Sequence, residues 1–95
     1  MEYILFIHNN ADQPATESQW EAFFSAASQS GIFNGGSEIG NSVQIGTKAT
    51  TLASSSVVGY MHFQTDDINQ LHKLLEIHPV YIQGGTLELC EAPKT

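Results

Sequence analysis

Arginine is absent from this chain of 95 residues, lysine occurs only at Lys48, Lys73 and Lys94, and ten acidic residues leave a formal net charge of -7. Neutralising a phosphate backbone takes clustered cations, and bidentate recognition of phosphate favours arginine, so nucleic acid and anionic membranes are not expected partners. Phosphorylated cofactors are disfavoured too, because no Walker or dinucleotide glycine fingerprint supplies a backbone alternative. Cysteine is nearly missing: Cys90 alone cannot close an internal bridge, which fits a reducing compartment. No uncharged apolar run approaches the ~18 residues of a membrane span. The opening MEYILFIHNN has no basic n-region and reads as a first strand rather than a signal peptide. A soluble cytoplasmic protein is the expectation, with an acidic surface that favours solubility.

What the chain does contain is ordered as strands and helices in one expected domain, residues 1–95. YILFIH at 3–8 is apolar on both parities, as in a strand covered on both faces. After the turn chemistry of NNADQP, Thr16 and Gln19 form a capping-box pattern, Trp20, Phe23, Phe24 and Ala27 repeat at helical spacing, and Gly31 is placed to terminate. IFNGGSEIG then reads as a reversal, SVQIG as a strand carrying Val43 and Ile45, and 46–56 as a small-residue hairpin connection. VVGYMHF at 57–63 is a strong strand. A second helix follows, capped by Thr65 or Asp66, striped by Ile68, Leu71, Leu74 and Leu75, and stopped by Pro79. Gly84 and Gly85 bend the chain into a last strand, TLELC.

Strand, helix, strand, strand, helix, strand is the split βαβ order. It predicts an α+β, ferredoxin-like βαββαβ fold with a four-stranded antiparallel sheet and two helices on one face. Two helices cover one face only, yet Ile4, Phe6, Val58 and Tyr60 make the other face apolar as well. A second copy, sheet against sheet in a two-fold homodimer, is the expected cover.

Together MEYILFIHNN, GGSEIG at 35–40, VVGYMHFQTDDINQL at 57–71 and HPVYIQGGTLELCEAPKT at 78–95 resemble the YCII-related proteins of the DGPF-containing branch, a family of small bacterial proteins. The resemblance implies a ferredoxin-like protomer that dimerises into an α+β barrel. It also implies a family in which a histidine and an aspartate approach one another in a cleft. In this chain the family's helix histidine falls at Trp20 and its acid before proline at His78, and the tetrapeptide DGPF is absent, so that pair does not transfer.

Histidine titrates near neutral pH and serves as acid, base or ligand, so each one has a functional and a structural reading. His72 lies at the edge of the apolar helix stripe and reads as a surface residue. His78 reads as a cap on the helix C-terminus, favoured there by the dipole, or as a ligand contact. His8 and His62 lie on neighbouring strands, but the rise of ~3.3 Å per residue separates them by well over ~10 Å, too far to share a metal. No HxH, HExxH or CxxC spacing replaces such a site, so neither metal nor cofactor is expected. On the last strand Thr86, Glu88 and Cys90 share one parity, opposite Leu87 and Leu89, and are expected to face the dimer cleft.

The candidate catalytic pair is therefore His62 and Glu88, with Tyr60, His8 and His78 as substrate-binding candidates. The matching function is cofactor-free proton transfer on a small molecule, of isomerase or lyase type, in the dimer cleft. Two alternatives stand beside it: a non-catalytic dimer that binds a small ligand or a protein partner, and a monooxygenase-like activity suggested by other dimeric α+β barrels. Glu88 also reads as a carboxylate that is solvent-exposed or bonded across the dimer, and Cys90 as an inert small residue.

Overall fold

β1 (Glu2–His8) occupies an interior position of the sheet, and the computed structural model, which describes residues 1–94, pairs it antiparallel on both sides. Its neighbours are β3 (Val57–Gln64) and β4 (Leu87–Glu91), and β2 (Phe33–Glu38) lies beyond β3, giving a four-stranded sheet of order β2-β3-β1-β4. Helix α1 (Glu17–Ser30) joins β1 to β2, and α2 (Ile68–Leu75) follows β3. This is the ferredoxin-like α+β fold that the element order predicts.

Alternation decides which side each strand residue faces. Leu5, Ile7, Met61 and Phe63 point to the helices and are buried together with Phe23 and Ala27 of α1 and Leu71, Leu74 and Leu75 of α2. Leu87 and Leu89 pack on the same core. Thr16 and Gln19 close a full capping box on α1, and Gly31 ends that helix at φ 74, a left-handed value suited to glycine.

Three local expectations are corrected. First, β2 forms in FNGGSE itself rather than in SVQIG. Phe33 anchors it against Phe63 at a ring separation of 5.5 Å, and an irregularity between Phe33 and Gly36 carries it along β3. A Cβ at Gly36 would collide with the Tyr60 carbonyl oxygen, so this close approach requires glycine. Val43 and Ile45 find no partner strand and stay 81% and 96% exposed in the connection 39–56.

Second, Asp67 rather than Thr65 or Asp66 caps α2, its carboxylate accepting from the N–H groups of Asn69 and Gln70. Third, α2 ends before Pro79, and Pro79 opens a further short helix, α3 (Pro79–Ile82), in the first-turn position where proline's missing N–H costs nothing. His78 is the N-cap of α3 and not the C-cap of α2.

Candidate functional site

The helix–sheet interface is not filled evenly. Between α1 and the β2–β3 side of the sheet lies an apolar cleft of about 680 Å³. Trp20 and Phe24 form its helix wall, stacked with ring centroids 5.6 Å apart, since residues four apart share one helix face. Ile7, Met61 and Phe33 line the sheet side, and Val80 closes it from α3. Gly59 is the reason the floor is hollow: it stands at an inward position of β3 where its neighbours Val57 and Met61 carry side chains. Glu38, opposite Gly59 across the β2–β3 ladder, brings a polar group to the lining.

A shallower hollow of about 370 Å³ lies beside this cleft, lined by His8, Asn9, Asp12 and other residues of the β1–α1 connection. Trp20, Val58 and Val80 belong to both linings, so the two spaces share a wall.

The opposite face of the sheet carries two histidine–carboxylate pairs. His8 Nε2 is 2.8 Å from Glu88 Oε1, and His62 Nε2 is 3.2 Å from Glu2 Oε1. The register places Glu88 across from Phe6 and Cys90 across from Ile4, on the face away from the helices, as the alternation of the last strand predicts. Tyr60 and His62 stand on that same face beyond β1, opposite Phe6 and Ile4. His62 and Glu88 are thus separated by β1 and by two residues along the strands, roughly 12 Å. Within the chain each is paired with a different residue.

His78 is the other histidine with a defined environment. It is fully buried, its Nδ1 accepts from the Val80 N–H at 3.1 Å, and its ring meets Trp20 and Phe23 edge-on at 5.2 and 4.7 Å. Burial disfavours the imidazolium and lowers its pKa from 6.5 to about 4. With Nδ1 accepting, the proton of the neutral ring sits on Nε2, which has no hydrogen-bond partner and lies among aromatic rings. His78 therefore supports Trp20 from behind rather than reaching a ligand, in place of the cationic cap or ligand contact expected. His72 is exposed.

Sequence reasoning missed the cleft. Its signals were present in the two large aromatics one turn apart on α1 and in a glycine at an inward position of a strongly apolar strand. Reading them as a cavity required the position of β2. Among the described residues no group of three or more His, Cys, Asp or Glu side chains is gathered for a metal. Nor, among them, is any helix long and apolar enough to cross a membrane.

No family model matches the chain, and no curated protein matches it. Among solved structures it is similar to 5-chloro-2-hydroxyhydroquinone dehydrochlorinase (TftG) from Burkholderia phenoliruptrix AC1100 in complex with 2,5-dihydroxybenzoquinone, with a TM-score of 0.54 and 12% identity over 100% of this chain and 96% of that one. The likeness is one of fold.

Proposed function

We propose that this protein binds a small, planar, uncharged ring compound in the cleft between α1 and the sheet and acts on it by proton transfer without a cofactor. The observation that carries this reading is the cleft itself: about 680 Å³ walled by Trp20, Phe24, Phe33 and Met61, the size and lining of a small-molecule site. Flat aromatic walls favour a flat apolar ligand by stacking and burial. The net charge of -7 and Glu38 in the lining argue against an anion. The solved dehydrochlorinase, whose complex holds a dihydroxylated quinone, lends support by fold analogy. A place among the YCII-related proteins agrees with this reading. So does a two-fold homodimer, in which a second copy would cover Val58 and Tyr60, 41% and 40% exposed on the open face.

Trp20 is the sole tryptophan, so its fluorescence reports the cleft directly. Titration with hydroxyhydroquinone, a neutral trihydroxylated benzene, under anaerobic conditions is expected to quench it saturably. Gly59→Leu, which fills the floor, is expected to abolish that quenching while the circular dichroism stays unchanged. Quenching that is absent, or is indifferent to a filled floor in a folded variant, removes the reading.

A further inference from the structure

We infer that Glu38 is the specificity-determining residue of the cleft. Its carboxylate accepts a hydrogen bond from a ring hydroxyl, so the site takes neutral hydroxylated rings and discriminates against their methyl ethers. This assignment rests on the cleft reading and deepens it.

The sheet register carries it. Gly59 of β3 stands opposite Ile7 of β1 on one side and opposite Glu38 of β2 on the other, so the three form one row across the sheet. Residues directly opposite in a ladder share a face, and all three line the cleft. The middle of the row carries no side chain, and neighbouring strands lie about 4.8 Å apart. A flat ring seated over Gly59 against Trp20 and Phe24 therefore has an aliphatic side chain at one edge and a carboxylate at the other. Gly36, the preceding position on this face of β2, is bare as well, so no neighbour on its own strand screens the carboxylate from the floor.

The backbone of Glu38 is held while its carboxylate is unclaimed. Its carbonyl accepts from Ser37 Oγ at 2.9 Å, and the N–H of the next residue, Ile39, donates to the Val58 carbonyl at 3.0 Å. The ion pairs among the described residues involve Asp66, Glu88 and Glu2, and Glu38 takes part in none of them. A ligand hydroxyl has no cation of these residues to displace. Tyr60, the other ionisable residue of the lining, stands opposite Phe6 and turns its ring to the open face. Among the described residues Glu38 is thus the one ionisable side chain that the lining presents on the cleft side.

The acceptor sets the ligand class. A carboxylate only accepts, so it favours O–H groups, offers nothing to an ether oxygen and repels an anion. A site built to hydrogen-bond a hydroxyl rejects the analogue without it far more strongly than an apolar pocket rejects a change of size. A charge here also has a use without a ligand, because β2 is an edge strand and inward-pointing charges keep such edges from pairing with other chains. The two uses part company in ligand selectivity.

The test compares hydroxyhydroquinone with its trimethyl ether, 1,2,4-trimethoxybenzene, on the intact protein under anaerobic conditions, with Trp20 quenching corrected for ligand absorbance. Wild type is expected to bind the triol about 10-fold more tightly, the low end for a hydrogen bond to a charged group, since Glu38 stays exposed. Glu38→Ala is expected to weaken the triol by that factor and to leave the ether within about 2-fold, the change between the two ligands separating the hydrogen bond from effects of size. Glu38→Gln keeps a neutral acceptor, roughly half as strong, and is expected to weaken the triol about 3-fold. Glu91 stands opposite Tyr3 on the same face but outside the lining, and Glu91→Gln is expected to behave as wild type. Wild-type affinity for the ether equal to or above that for the triol overturns the assignment. So does a loss in Glu38→Ala that is absent or the same for both ligands; the charge then serves the sheet edge alone, and the cleft stands. If Glu38→Ala does not fold, the wild-type ratio and Glu38→Gln decide by the same criteria. Quenching by neither ligand overturns the cleft reading and this assignment together.

Discussion

The two halves of the helix–sheet interface are built from similar residues and end up in opposite states. Around α2 the packing is closed: Leu5, Phe63 and Leu71 have no exposure at all. Around the first turns of α1 it is open: Phe24 is 43% exposed, and Trp20 stands only partly buried against a cleft. The amphipathic contrast of α1 is weaker than that of α2, yet α1 carries three large aromatic residues, Trp20, Phe23 and Phe24, within two turns. The difference lies across from it, where Gly59 sends no side chain inward and the glycine-rich β2 offers only Phe33 to the core. A cavity arises here because the facing surface leaves positions empty, not because the helix lacks apolar residues.

The comparison is broken most forcefully by truncation. Leu71→Ala on the closed side is expected to cost about 2–5 kcal/mol, the range for a large buried aliphatic residue. Phe24→Ala on the open side, already near solvent, is expected to cost about 1 kcal/mol. Urea titrations of the two variants decide this, and equal losses would mean that the cleft closes in solution.

A second, slightly smaller effect should come from acid. His78 has a folded pKa of about 4 against 6.5 for the free side chain, so the unfolded chain binds the proton first as pH falls. Its neutral burial therefore contributes fully above pH 6.5 and loses up to about 3 kcal/mol as pH drops towards 4. His78→Asn keeps a capping side chain without a titrating ring. Unfolding free energies at several pH values should show a shallower acid slope for that variant, and parallel slopes would refute the assignment.

The smallest effect sharpens the contrast most. A methyl group at Gly59 would stand 3.3 Å from the Ser37 carbonyl oxygen and 3.4 Å from Ile7 Cδ1, a tight but bearable fit. Gly59→Ala is expected to stay within about 1 kcal/mol of wild-type stability, because the entropy lost by the unfolded chain offsets the crowding. Ligand affinity, read from Trp20, should nevertheless fall. A substitution neutral for folding and harmful for binding would mark this glycine as part of the site.

Much of the fold was legible because it rests on local signals that agree with one another. The capping box at Thr16, the terminating Gly31, the leucine stripe of α2 and the parity of Leu87 and Leu89 each state a local preference that the tertiary structure keeps. The order of strands alone puts His8 near Val57 or Val58 and His62 near Ile4 or Tyr3, and the ladder sets them opposite Val57 and Ile4. β2 was not legible, because FNGGSE has no alternation and becomes a strand only through Phe33 packing and its pairing with β3, whereas Val43 and Ile45 alternate without a partner. His78 was misread for a related reason: the end of one helix and the start of the next lie three residues apart, and local rules assign the residue to the first. The pairing of His8 with Glu88 lay within reach of the register argument, since both stand on the open face of neighbouring strands, but the irregularity that leaves Val58 of β3 unpaired has no sequence signature.

Helices on one face only make the floor of the cleft a single strand thick. Along β3 the residues alternate, Gly59 and Met61 beneath the cleft and Val58 and Tyr60 partly exposed on the open side. Whatever presses on the open side leans on the same backbone that a bound ring rests upon. Occupancy of the two faces is then thermodynamically linked: if a ligand in the cleft strengthens association across the open face by some factor, association strengthens the ligand by that same factor.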